Sequence, residues 1–119
     1  MADRVATLKQ LKEAVASFQA ERDWRQYHTP KNLAMGIAVE TGELLEHFLW
    51  LTPEESCEMV EDPAALAAVE DEMADVFCYL LNLAQVLGID LSDAFEAKMQ
   101  RNAAKYPADQ YRGKYKLDP

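Results

Sequence analysis

The sequence predicts an all-α fold: a four-helix-bundle-type domain with a short extra helix, assembled as an oligomer. Three observations carry that reading. Apolar residues recur at steps of three and four along most of the chain, the period of a helix with one buried face. Two stretches open on a capping residue followed by Pro, Thr52-Pro53 and Asp62-Pro63, a pattern that starts helices. Paired strands, Gly-rich phosphate loops, repeats and low-complexity tracts are missing from the sequence.

The elements follow in order. Val5, Leu8, Leu11, Val15 and Phe18 mark an amphipathic helix from Val5 to about Arg25. Tyr27-His28-Thr29-Pro30 interrupts it, because Pro30 disfavours helix at the residue before it. A second helix is expected from Lys31 to Leu51. Thr52-Pro53-Glu54-Glu55 reads as a capping box that opens a short helix over residues 53–60. Asp62 caps a long helix that has Pro63 at its first position and runs to Leu87, and Gly88 closes it. Ser92 or Asp90 caps a fourth helix to about Tyr106, which Pro107 ends. Residues 107–119 show no periodicity and read as an extended or loose tail, so a single domain is expected over residues 1–106.

At 119 residues the chain is sized for one domain with its own core. No run reaches the roughly 18 apolar residues of a membrane span. The first residues lack a basic start followed by an apolar run, so no signal peptide is expected. Cys57 and Cys78 suit a reducing cytoplasm better than an oxidising compartment. The net charge of −9 is unevenly placed: residues 32–97 hold 15 Asp and Glu and no Lys or Arg, whereas from Glu96 onward six basic residues face three acidic ones. An acidic middle argues against nucleic acid polymers, which need a basic face, and favours cations. The basic last quarter suits an anion. Together they suggest a metal-bound, phosphorylated small molecule as the partner.

Two helices are apolar nearly all round. Leu33, Met35, Ile37, Val39, Leu44, Leu45, Phe48 and Leu49 cover most of the second, and Val69, Met73, Val76, Phe77, Leu80, Leu81 and Leu83 do the same for the long one. A helix apolar on every side is buried on every side, and a four-helix monomer of this size cannot bury both. A homo-oligomer, dimer or tetramer, is therefore expected.

The informative residues are the acids inside those helices. Glu40 and Glu43 stand three apart, as do Glu72 and Asp75, so each pair shares a helix face. Glu40 falls within the stripe of Leu33, Ile37, Leu44 and Leu51, and Glu72 falls between Tyr79 and Leu83 in the same projection. Burying one unpaired carboxylate costs several kcal/mol, and four together repel. Antiparallel packing would bring the pairs face to face, with a divalent cation as the compensating charge. Carboxylate-only sites suit hard cations such as Mg²⁺ and Mn²⁺. Two other readings stay open. The acids point at water, or the site is a ferritin-like di-iron centre, which wants Glu-x-x-His where this chain has Glu43 and Asp75. His47, one turn beyond Glu43, is either an outer group of such a site or an ordinary surface or core His.

On the fourth helix Lys98, Asn102 and Lys105 share one face, with Arg101 to the side, and two cations with an amide can hold polyphosphate oxygens. Trp24, Tyr27 and His28 at the first loop, and Trp50 at the end of the second helix, are candidates to stack on a base or to serve as core or interface anchors. Phe18, Phe48, Phe77 and Phe95 read as core.

Glu40-x-x-Glu43, 28 intervening residues and Glu72-x-x-Asp75 resemble the signature of the all-α nucleoside triphosphate pyrophosphohydrolases, the MazG-like group. Residues 18–50, EDEMADVFCYLLNLA (70–84) and LSDAFEAKMQRNAAKYP (91–107) resemble its dCTP pyrophosphatase branch, so the likeness covers most of the chain. The resemblance implies Mg²⁺-dependent hydrolysis of a nucleoside triphosphate, dCTP or a modified dCTP, to the monophosphate and pyrophosphate. It implies that Glu40, Glu43, Glu72 and Asp75 are metal ligands, and that Lys98 and Asn102 hold phosphates with Lys105 and Tyr106 nearby. Trp24 and Trp50 match base-pocket positions, Tyr79 matches a pocket tyrosine, and His28 joins them as a substrate contact. Val15 stands where relatives of that branch can carry a pocket histidine, which implies weaker discrimination between pyrimidines. The group is usually a dimer or a tetramer of dimers.

In that chemistry a carboxylate takes the proton of the attacking water, with Glu43 the choice here, and Lys98 and Lys105 offset charge on the departing pyrophosphate. No Ser-His-Asp set points to a covalent route. The rival classes are a non-catalytic helical interaction domain and a carboxylate-bridged redox metal protein.

Overall fold

The computed structural model describes residues 1–116, so the last three residues of the expected tail lie outside the described residues. The chain runs α1 (Leu8–Glu21), a 3₁₀ turn (Arg25–Tyr27), α2 (Pro30–Glu46), α3 (Pro53–Cys57), a second 3₁₀ turn (Glu58–Glu61), α4 (Pro63–Leu87), α5 (Leu91–Lys105) and α6 (Ala108–Tyr111). There is no strand among the described residues.

Side-chain caps set the starts of the five helices before α6. Thr7 and Thr52 each complete a reciprocal box, with Gln10 and Glu55 respectively. Thr29 Oγ1 accepts from the Asn32 N–H, and Asp62 Oδ1 accepts from both Ala64 and Ala65. Of the two residues expected to cap α5, Asp90 does so, accepting from the Asp93 N–H at 2.9 Å. Each such cap stabilises its helix by about 0.5–2 kcal/mol. Gly88 closes α4 at φ 67°, a left-handed conformation that costs glycine nothing.

Three boundaries differ from the sequence reading, each for a local reason. Helix α1 starts at Leu8 because Thr7 caps it, leaving Val5 in a preceding turn. It ends at Glu21 because Asp23 takes φ 53°. Helix α2 ends at Glu46 rather than Leu51; residues 47–51 continue as turns until Thr52, which must be extended before Pro53. The stretch from Pro107 is not uniformly extended: Ala108–Tyr111 forms a short helix whose Tyr111 ring meets Tyr106 edge-on at 5.2 Å.

The chain divides into two compact units, Met1–Gly88 and a second from Ile89 onward. In the first, α4 is the central helix, packed along α2 and against α1. Leu33, Val69, Leu81 and Ala84 form its buried core. Apolar faces remain exposed on both long helices, through Met35, Val39 and Leu45 on α2 and Met73, Phe77 and Leu80 on α4. None of the four phenylalanines expected in the core is among its buried residues: Phe18, Phe77 and Phe95 are exposed, and Phe48 is half-buried. The core of the single chain is confined to the seams between α4 and its two neighbours, too narrow to cover them. Phe95 sits on α5, which buries no residue.

Candidate active site

Helices α2 and α4 bring the two acidic pairs together. Glu40, Glu43 and Glu72 each direct a carboxylate oxygen into a group that lies within 4.8 Å throughout. Asp75, one turn beyond Glu72, lines the adjoining cavity together with Glu40. Burial, followed by a hydrogen bond with Glu43 and by the charges of Glu43, Asp75 and Glu72, pushes the Glu40 carboxyl up to about 7. Burial and the Glu43 and Asp75 charges also raise Glu72. One oxygen of each, Glu40 Oε2 and Glu72 Oε2, is buried without a hydrogen-bond partner. His47 Nε2 lies 4.0 Å from Glu72 Oε1, which places it at the edge of the cluster. Converging acids with orphaned buried oxygens fit a hard divalent cation, since such a charge would pair those oxygens.

Beside the acids lies a cavity of about 230 Å³. Helix α4 contributes Asp75, Cys78, Tyr79 and Asn82, spaced so that they share one face; α1 contributes Phe18 and Gln19; the loop between α1 and α2 contributes Trp24 and His28. The loop is fixed by its own contacts. Phe18 and Trp24 meet edge to face at 5.6 Å, and the Arg22 guanidinium lies 3.8 Å from the Phe18 ring centre. Tyr79 presses against α2 where Gly36 has no side chain: a Cβ there would overlap Cε1 of the ring and stand 2.8 Å from Cδ1. Asn82 Nδ2 and His28 Nδ1 are 3.3 Å apart. A second cavity of about 390 Å³ shares Gln19, His28 and Asn82 with the first and is otherwise lined by Ala16, Arg25, Gln85 and Val86.

Of the residues singled out in the sequence, Glu40, Asp75, Trp24, His28 and Tyr79 thus surround one cavity, with Glu43 and Glu72 against Glu40. Trp50 does not line it; 88% exposed, it sits in the turns after α2. Val15 does not line it either. In the second unit, Lys98 is exposed on α5, Asn102 is half-buried, and Lys105 Nζ lies 5.3 Å from the Tyr106 ring centre. Sequence reasoning missed Gln19, Cys78 and Asn82 and misplaced Phe18. The signal was present for two of them: Gln19 lies on the apolar stripe of Leu11 and Val15, and Asn82 one full repeat beyond Asp75, so both are polar residues where burial is expected.

The model of the MazG-like family matches residues 35–116. The chain belongs to the MazG-like family. This MazG-like chain is also similar to dCTP pyrophosphatase 1 of Bos taurus, 39% identical over 107 residues, which are 90% of this chain and 63% of the relative. The Homo sapiens protein of the same name is 41% identical over 102 residues, 86% of this chain and 60% of that one. The chain therefore spans somewhat under two thirds of the length of these curated relatives. A crystal structure of a pyrophosphatase from Archaeoglobus fulgidus superposes with a TM-score of 0.79 at 39% identity, covering 90% of this chain and 98% of that one. No single helix among the described residues is long and apolar enough to cross a membrane.

Proposed function

We propose that this MazG-like chain is a Mg²⁺-dependent nucleoside triphosphate pyrophosphohydrolase, acting on dCTP or a modified dCTP to give the monophosphate and pyrophosphate in nucleotide-pool house-cleaning in the cytoplasm. The observation that carries the reading is the juxtaposition of orphaned acidic oxygens with an aromatic-lined cavity in one compact unit. The names of the relatives and of the structural neighbour support the reaction class.

Glu40, Glu43, Glu72 and Asp75 would hold the metal, with Mn²⁺ as an alternative to Mg²⁺. When bound, such an ion supplies Lewis-acid chemistry, offsetting phosphate charge and acidifying water. Glu43, the exposed member of the three converging carboxylates, takes the proton of the attacking water. Trp24 and Tyr79 stack on the base and His28 contacts it. Lys98, Asn102, Lys105 and Tyr106 hold the phosphates, the two lysines offsetting charge on the departing pyrophosphate. Trp50, outside its own chain's cavity, meets the base across an interface in a homo-oligomer, most simply a tetramer, built on the exposed faces of α2 and α4.

The test is a screen of the common dNTPs and NTPs with Mg²⁺, scored for monophosphate and pyrophosphate together. Release from dCTP supports the reading. No release from any triphosphate, or an iron-dependent visible absorption band in its place, overturns it. Sedimentation showing a stable 13.5 kDa monomer at micromolar concentration would overturn the oligomer.

A further inference from the structure

Two of the side chains between the two cavities, Gln19 and Asn82, have no part in the chemistry above. Gln19 on α1 and Asn82 on α4 are 7% and 3% exposed, and each lines both cavities together with His28. Neither amide is among the buried side-chain atoms left without a partner, and both line the two cavities, so the hydrogen-bonding capacity they do not use within the protein is offered to what enters there. Among the described residues the side-chain hydrogen bond on this wall is Asn82 to His28 at 3.3 Å. With Asn82 Nδ2 donating to Nδ1, the imidazole carries its proton on Nε2. The wall then offers a fixed acceptor, Asn82 Oδ1, a donor, His28 Nε2–H, and one group of each kind on Gln19. Trp24 and Tyr79 line the same cavity, so a base held against their rings has its hydrogen-bonding edge free for these groups.

We propose that Asn82, locked by His28, and Gln19 read the edge of the nucleobase and select bases with an exocyclic amine over their oxo counterparts. Cytosine and adenine present an N–H₂ donor where uracil and thymine present a carbonyl. An amine satisfies Asn82 Oδ1. A carbonyl facing it leaves two buried acceptors unpaired, the kind of mismatch a site rejects most strongly. Val15 has no polar group to offer the base; Gln19, one helical turn on, does. The inference rests on the reading of this cavity as a nucleotide site.

The experiment compares wild type, Asn82→Leu, Asn82→Asp and Gln19→Leu in kcat/KM for dCTP against dUTP with Mg²⁺, and by calorimetric binding of dCMP against dUMP. Wild type is expected to favour cytosine by about 30-fold or more, and Asn82→Leu by no more than about threefold. Asn82→Asp keeps an acceptor beside His28 and should retain about tenfold, while Gln19→Leu should lose about tenfold of the preference. Wild type without preference, or the full ratio surviving in both leucine variants, overturns the proposal. Should Asn82→Leu fail to fold by circular dichroism, the other two variants decide. Should wild type hydrolyse no triphosphate, the proposed function falls, and the ratio of monophosphate affinities decides this inference on its own.

Discussion

The acidic and aromatic parts of the cavity are built by opposite means. The acids sit on two packed helices, three residues apart on each, and their mutual repulsion opposes the fold that gathers them. The aromatic wall comes from the end of α1, an irregular loop and one face of α4, and its members support one another through the Phe18–Trp24 pair, the Arg22–Phe18 contact and the Asn82–His28 bond. One part is held by the fold at a cost to it; the other adds to the stability of its own loop. Substitutions in the two should therefore separate catalysis from binding, and stability should move in opposite directions.

The largest effect belongs to the acids. Glu43→Gln and Asp75→Asn keep side-chain shape while removing a charge, and are expected to lower kcat/KM by about 10³-fold or more. The metal-free variants should melt no lower than wild type, since repulsion is relieved. Ordinary Mg²⁺-dependent rates in either variant would remove that residue from the site. Next come the tryptophans: Trp24→Ala and Trp50→Ala should each raise KM by about one to two orders of magnitude with little change in Mg²⁺ dependence. For Trp50 an unchanged KM with a dissociated assembly would make it an interface anchor and leave base contact to the loop. Gly36→Ala sharpens the comparison from the side of packing. Its methyl group displaces Tyr79 from α2, which should destabilise the protein by about 1–3 kcal/mol in denaturant melts and raise KM without touching the acids.

The smallest effect is a pH dependence. The Glu40 carboxyl, raised to about 7 in the folded chain from an ordinary 4.5, makes the native state bind more protons than the unfolded state between those values. Its contribution to metal-free stability is therefore full below about pH 4.5 and lost as pH rises through 7, read as a fall in Tm. Added Mg²⁺ should restore more stability at pH 7 than at pH 5. An identical gain at both values would contradict a coupled acidic cluster.

The fold and the acids were legible because helix period and cap chemistry are local signals. Asp62-Pro63 and Gly88 bound α4 where the sequence puts them, and two acidic pairs in apolar helices can be read from spacing alone. The aromatic wall was less legible because it joins residues from α1, a loop and α4 that only packing brings together. Phe18 looked like core by period, yet the left-handed turn at Asp23 folds Trp24 back onto it. Gln19 and Asn82 interrupt apolar stripes, but nothing local says that those two interruptions face each other. Trp50 reads as a helix end by sequence, whereas α2 ends at Glu46 and Trp50 lies in the turns that follow.

The close seat of Tyr79 on the bare backbone of Gly36 also bears on motion. A ring lodged in that way turns about its long axis only when α2 and α4 part slightly, so its rotation reports on the breathing of the central helix pair. Slow exchange of its two ring edges in aromatic NMR spectra would show a wall that is already ordered before any base arrives. A base stacking on that ring would then cost the tyrosine no rotational freedom of its own.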